Sequence, residues 1–264
     1  MKPRLGLPVD IEAVTDIIIR TMPLDPQWDY RFPYRHEFPD DHYKFTRLLF
    51  EYFLDPAYDD WQVMVVEDSP EEVRGERRVV SFSVWDVSYR NKRRYGPSYV
   101  PQDRKSSIML SSLERSHTNT PNEIAVTEVE KQGGRTRRDA NHEHFDAFWR
   151  GQIAAYKAFF SKIGPEQIHL QILATLPDFQ RRGHASSLCK WGMRLVHQDR
   201  LNDISVMASP MGHDLYRWLG FALVGTFYIQ VPEEEERLTL HAMKYVPDIK
   251  LLRVIADNGQ CGLM

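Results

Sequence analysis

One stretch constrains the chain more than any other. Ile168 to Leu176 reads IHLQILATL, Pro177-Asp178 interrupts it, and QRRGHASSLCKWGMRLVH follows from Gln180. The first run is short and apolar, the composition of a buried strand. The second carries Leu188, Trp191, Leu195 and Val196 at helical spacing, which predicts a helix from about His184 to His197. Strand, turn and helix thus follow one another directly, and the turn holds Gly183, Arg181 and Arg182, with no acidic residue between Asp178 and Asp199. A turn that enters a helix presents N–H groups without helical partners together with the positive end of the helix dipole, so it is a ready anion site. Gly183 lets a ligand approach the backbone, Ala185, Ser186 and Ser187 keep the first helical turn small, and the two arginines bring charge suited to phosphate oxygens. This is no Walker loop, because no Gly-Lys-Ser/Thr follows, and no Rossmann fingerprint, because two of its three glycines are missing. On these residues alone two readings stand: a pyrophosphate cradle and an exposed turn.

Length and charge bound the rest. With 264 residues, 42% hydrophobic and 27% charged, the chain suits a globular protein of one large domain or two small ones. A net charge of −3 argues against a surface built throughout for nucleic acid or anionic membrane. Two cysteines, Cys189 and Cys261, exclude a disulfide framework and a cysteine zinc site, so no metal is expected and a reducing, cytoplasmic setting is. No window approaches the roughly 18 apolar residues of a membrane span, and the N-terminus has no signal-like apolar core. Oligomeric state is left open.

Elsewhere the spacing predicts a helix from Ile11 to about Met22 behind Asp10, an ordered aromatic loop over 24–40, and a helix from about Asp41 to Leu54. Gln62–Val66 and Arg78–Val87 read as an antiparallel strand pair. From Ser88 to about Asn141 lies an insertion in which Lys and Arg outnumber Asp and Glu, either a basic arm that helps hold an anionic ligand or a solvated excursion. An amphipathic helix spans about His142 to Lys162. Its HEHF is no zincin motif, since Asp146 stands where the second histidine belongs. After the phosphate-type turn come a strand at Ile204–Ala208, a short helix HDLYRWLG, a strand FALVGTFYIQV, an acidic turn at Glu233–Glu236 and a strand LTLHAMKYV. The result is an α/β (α+β) chain with a mixed sheet and no internal repeat, followed by an extension over about 247–264.

Two motifs now resemble a known family. Gln180-Arg181-Arg182-Gly183-His184-Ala185 fits the Q/R-x-x-G-x-G/A signature of the GNAT superfamily of acyl-CoA-dependent N-acetyltransferases, behind the strand end Leu173-Ala174-Thr175-Leu176-Pro177. Leu215-Tyr216-Arg217-Trp218-Leu219-Gly220-Phe221 matches the family's helix that ends in Tyr before Gly-Phe. The wording LATLPDFQRRGHASSLCKWGMRL followed by ASPMG resembles the fungal small-molecule branch. The resemblance covers roughly residues 60–87 and 142–246. It implies a single GNAT domain with a central, mostly antiparallel mixed sheet flanked by helices, interrupted by the 88–141 insertion.

The resemblance further implies acetyl-CoA as co-substrate and direct transfer of its acetyl group to a small-molecule amine in a ternary complex. The amides of Gln180, Arg181, Arg182, Gly183, His184, Ala185 and Ser186 would bind the coenzyme A pyrophosphate. Leu173, Ala174 and Thr175 would pair with the pantetheine arm, provided that the Ile204–Ala208 strand splays away. Tyr216 would be the proton donor, its alternative being a core tyrosine. His169 is a candidate base, because strict alternation puts His169, Gln171, Leu173 and Thr175 on one face and imidazole titrates near neutrality. Some members carry two histidines in this strand, whereas Gln171 replaces the second here. The alternative is a structural histidine, and Glu37, Asp86 and Asp178 are further carboxylates to consider. Trp85, Trp28, Tyr30 and Phe32 read as an acceptor pocket or as packing. Two other functions stay open: a non-catalytic acyl-CoA-binding module and a peptide or protein acetyltransferase.

Overall fold

The computed structural model describes residues 2–69, 75–96, 98–99 and 132–247. Seven strands form one sheet: β1 (Arg4–Leu5), β2 (Trp61–Asp68), β3 (Arg78–Asp86), β4 (Gln167–Thr175), β5 (Asp203–Ala208), β6 (Ala222–Gln230) and β7 (Arg237–Tyr245). Their spatial order is β1-β2-β3-β4-β5-β7-β6. Every neighbouring pair is antiparallel except β4 and β5, which run parallel. A parallel pair needs a crossover, and the chain between β4 and β5 supplies it as a helix.

Seven helices of four or more residues accompany the sheet among the described residues: α1 (Ile11–Thr21), α2 (Pro26–Arg31), α3 (Pro39–Leu54), α4 (Tyr89–Tyr95), α5 (His142–Phe159), α6 (His184–Asp199) and α7 (Pro210–Trp218). On one face Val14, Ile17 and Ile18 of α1 and Phe50 and Phe53 of α3 pack against Val63, Val65, Val80, Phe82 and Val84. On the other face Leu188, Leu195 and Val196 of α6, with Tyr216 of α7, cover Trp85, Ile168, Leu170 and Val206. A third cluster joins Tyr30 of α2 and Phe148 of α5 to Ile229, Leu238 and Leu240.

Two expectations change. The 24–40 segment is not an irregular loop throughout, because Asp25 accepts a hydrogen bond from Gln27 N (3.2 Å) and Pro26 opens α2 behind it. The described ends of the 88–141 segment are packed rather than solvated: Tyr89 and Asn91 are buried at one end, Arg137, Asp139 and Ala140 at the other. The basic-arm reading falls mostly on 97 and 100–131, outside the described residues, as do Cys261 and nearly all of the 247–264 extension.

One close helix-to-sheet approach lies beneath α6. Trp85 is fully buried, its indole N–H donating to Ser83 Oγ at 2.8 Å. A Cβ on Gly192 would lie 2.4 Å from its Cη2. Gly192 therefore sets the depth at which α6 sits on β3. Gly192→Ala should cost about 1–3 kcal/mol through overpacking and lower the melting temperature by several degrees, as a thermal melt at neutral pH would read. An unchanged melt would mean that α6 seats itself by other contacts.

Candidate active site

The central strand carries one residue too many. Ser81 to Val84 pair in register with Thr175 to Ile172, but the next pairs are Trp85 with Leu170 and Asp86 with His169, so Gln171 is bulged out of the ladder. One inserted residue swaps the faces beyond it. Ile168, Leu170 and Leu173 thus share the α6 side, while Ile172 and Ala174 pack toward α1. His169 falls on the Ile172 side, its ring 5.4 Å from that of Tyr156 and 6.0 Å from that of Phe160. The expected common face of His169, Gln171, Leu173 and Thr175 is thereby corrected.

The bulge coincides with a split in the sheet. β4 and β5 pair only from Gln167–Asp203 to Leu170–Val206, although β5 goes on pairing with β7 as far as Ala208–His241. Beyond Leu170, β4 is held on the β3 edge alone. Leu176 N donates to Val80 O on that edge, so alternation turns the backbone groups of Leu173 and Thr175 toward the split and those of Ala174 away from it. Thr175 O takes hydrogen bonds from Thr21 Oγ1 (3.3 Å) and Gln180 Nε2 (3.2 Å), side chains that patch the open edge.

Past β4, a single 3-10 turn at Pro177–Phe179 leads into the turn before α6. Arg181 (φ 63°) and Gly183 (φ 84°) both adopt left-handed backbone. Ser187 N to Gly183 O is the first helical bond, so the amides from Gly183 to Ser186 stand ahead of the α6 ladder. A Cβ on Gly183 would meet nothing within 4 Å, so the space over these amides is open. Of the side chains, Arg181 is exposed. Arg182 donates to Asp178 O (2.9 Å), lies 3.9 Å from Asp68 and packs over Phe179. His184 is buried, its Nε2 3.0 Å from Asp68 Oδ2, so it offers a ligand its amide and not its ring.

Tyr216 is 6% exposed and packs on Phe221 and on the α6 core. Burial holds its phenol pKa well above the usual value, with added repulsion from the Asp25 carboxylate. Asp25 is a residue that sequence reasoning missed. It is a buried carboxylate at the start of α2, and its charge raises the Tyr216 phenol further. Its Asp-Pro pair was a legible helix start, but nothing in the sequence brings it to α7. Burial lowers the His169 imidazole to about 4 against the attraction of Asp86, and Nδ1 is shared with Ser205 Oγ at 2.8 Å.

The other candidates lie apart. Glu37 and Asp178 are exposed, and Asp86 accepts a hydrogen bond from Ser88 N (2.8 Å). Trp85, Trp28, Tyr30 and Phe32 are core. Cys189 is fully buried, its thiol pushed up to about 12. Within the acidic turn, Glu234 reaches His144 Nε2 at 2.7 Å and is not wholly solvated. Among the described residues, no group of three or more His, Cys, Asp or Glu is placed to hold a metal ion, and no helix is long and apolar enough to cross a membrane.

Comparison with known proteins addresses this arrangement. A family model described as the acetyltransferase (GNAT) domain matches residues 114–245, half of the chain. An acetyltransferase of Stachybotrys chartarum is 40% identical over 58 residues, and the match spans 22% of this chain and 24% of that protein. Among solved structures, the mosquito arylalkylamine N-acetyltransferase like 5b is similar at 14% identity and a TM-score of 0.52, over 93% of this chain and 99% of that one. A Drosophila melanogaster polyamine N-acetyltransferase that forms N-acetylagmatine is similar at 10% identity and 0.53, again over 93% and 99%. A Corynebacterium glutamicum structure titled as histone acetyltransferase HPA2 and related acetyltransferase gives 16% and 0.50, over 94% and 97%. At these identities the structural likeness is one of fold. The family match contains the split strand, the turn before α6 and the α7 tyrosine, and the chain belongs to the GNAT acetyltransferase family.

Proposed function

We propose that the protein transfers an acetyl group from acetyl-CoA to the amine of a small molecule, directly and within a ternary complex. The observation that carries this reading is the early end of the β4/β5 ladder next to a turn of open amides. Coenzyme A joins an amide-bearing arm to a pyrophosphate. Leu173 and Thr175 offer the arm a strand edge, with Ala174 between them bound to β3. The Gln180 amide is taken by Pro177 O (3.1 Å), contrary to expectation, and the amides from Arg181 to Ser186, with Arg181 for charge, offer the pyrophosphate a helix N-terminus. Arg182 and the His184 ring, both held at Asp68, keep the turn in shape. The residues present therefore fit the group.

The remaining chemistry needs an acid for the departing thiolate and a base for the amine. Tyr216, with its raised pKa, keeps its proton at cell pH and serves as the acid. Asp25, the buried carboxylate whose charge acts on the Tyr216 phenol, serves as the base. His169 is replaced in that role, because its ring is buried against Tyr156 and Phe160 with Nδ1 shared with Ser205 Oγ. The amines named for the mosquito and Drosophila structures support the choice of a small amine as acceptor.

Four outcomes follow. Gly183→Asp puts a side chain and a negative charge over the amides, and should weaken acetyl-CoA binding by roughly two to four decades in calorimetry; the added Cβ meets nothing, and the left-handed backbone should cost the fold about 1–2 kcal/mol, which a thermal melt reads separately. Near-parental affinity would make the stretch a turn and no more. Tyr216→Phe should lower turnover on the order of 10² with acetyl-CoA affinity kept, and Asp25→Asn should lower turnover by roughly 10 to 10². Either residue leaves the mechanism if turnover holds while chemistry is rate-limiting. His169 stays neutral from pH 5 upward, so His169→Gln should leave the shape of the pH–rate profile between pH 6 and 9 unchanged, and a lost limb there would restore it as the base.

A further inference from the structure

Arg31, the last residue of α2, is only 8% exposed and has a single hydrogen bond, from Nε to Gln27 O at 3.0 Å. No carboxylate lies within 4.0 Å of it among the described residues, and neither η nitrogen has an acceptor there. Its neighbours show that this is an exception. Arg137, against the same aromatic wall, is held by both oxygens of Asp139 at 2.7 and 2.6 Å, and Arg35 pairs with Asp29 at 2.7 Å. What surrounds Arg31 is aromatic: its guanidinium carbon lies 4.0 Å from the ring centre of Phe148 and 5.1 Å from those of Trp28 and Phe32. Burial draws its pKa down to about 9, with attraction from Asp25 and repulsion from Arg137.

A buried cation without a counter-ion is costly, and cation–π contact returns only part of that cost. A leucine or methionine would fill the same aromatic box without the penalty. The unused η nitrogens form a planar fork matched to the two oxygens of a carboxylate. Asp25 and Arg31 stand at opposite ends of α2, the one as its N-cap and the other in the aromatic box. The six steps from Asp25 to Arg31 set their backbones roughly 9 Å apart along the helix axis.

We propose that Arg31 binds a carboxylate on the acceptor, so that the substrate is an amine that also carries a carboxylate, with the amine at Asp25 and the acid at Arg31. This rests on the acceptor reaching Tyr216, as proposed above. Charge then favours such a molecule over a pure polycation, because Arg31 and Arg137 both repel a second cation at this end of α2.

Matched pairs with and without the carboxylate test it: 4-aminobutyrate against propylamine, 6-aminohexanoate against pentylamine, and tyrosine against tyramine, each read by coenzyme A release. At least one carboxylated member should exceed its partner roughly tenfold or more in kcat/KM. Arg31→Gln should abolish that ratio through KM, with acetyl-CoA affinity unchanged, and Arg31→Lys should retain part of it even if the Gln variant fails to fold. A merely structural arginine would lower stability and leave the ratio intact. Release with the partners lacking a carboxylate favoured in every pair, or a ratio untouched in both variants, overturns the Arg31 assignment alone. No release from any amine while acetyl-CoA still binds overturns the proposed function with it.

Discussion

A backbone buried in a sheet must pair its N–H and C=O groups, and β4 meets this requirement on both edges only as far as Leu170. From Gln171 onward its β5 edge is open while its β3 edge is held to Thr175. Each buried group left unpaired costs about 1–3 kcal/mol, so such an edge persists where something else meets it. One group is met from within, since Thr21 and Gln180 both donate to Thr175 O. The rest of the edge faces the slot between β4 and β5. In the proposed function, the turn before α6 and the tyrosine on α7 take their roles from that slot.

The walls of the slot are held by packing on one side and by a polar network on the other. On the α6 side, Trp85 fits beneath Gly192 with its N–H satisfied by Ser83. On the α2 side, the Trp28 indole N–H donates to His42 Nε2 at 3.2 Å, and His42 Nδ1 lies 2.7 Å from Asp139 Oδ2. An indole N–H can only donate, so His42 must carry its proton on Nδ1 and give it to Asp139. The pair resembles a catalytic His–Asp dyad in outline, yet its free nitrogen is taken by Trp28 and it is shut within the core. Its role is to tie α2 and α3 to the segment that closes the 88–141 excursion. Asp25 and Arg31 are thereby fixed in position from the far end of that excursion.

Much of the architecture was legible because local signals and tertiary packing agree. The change of period after Pro177, the glycine at 183 and the Tyr216–Phe221 block each follow from residues close in sequence. The bulge was not legible, since an alternating count reads through Gln171 as one more residue of period two, and a single extra residue reverses every face beyond it. That error carried His169 to the wrong side of the strand. The anchoring of the His184 ring on Asp68, 116 residues earlier, has no local signal in the sequence. Asp25 and Arg31 were hidden in a segment whose prolines and aromatics read as loop, and their significance depends on Tyr216, Phe148 and Arg137, none of them near in sequence.

The central claim is that the open edge of β4 and the amides ahead of α6 are one continuous binding surface. Amide hydrogen exchange with and without coenzyme A tests it most directly. The account predicts new protection at Leu173, Thr175 and the amides from Gly183 to Ser186, with none gained at Ile168 or Leu170, which already lie in paired strands. Protection confined to some other surface, or binding that leaves both segments exchanging as before, would contradict it.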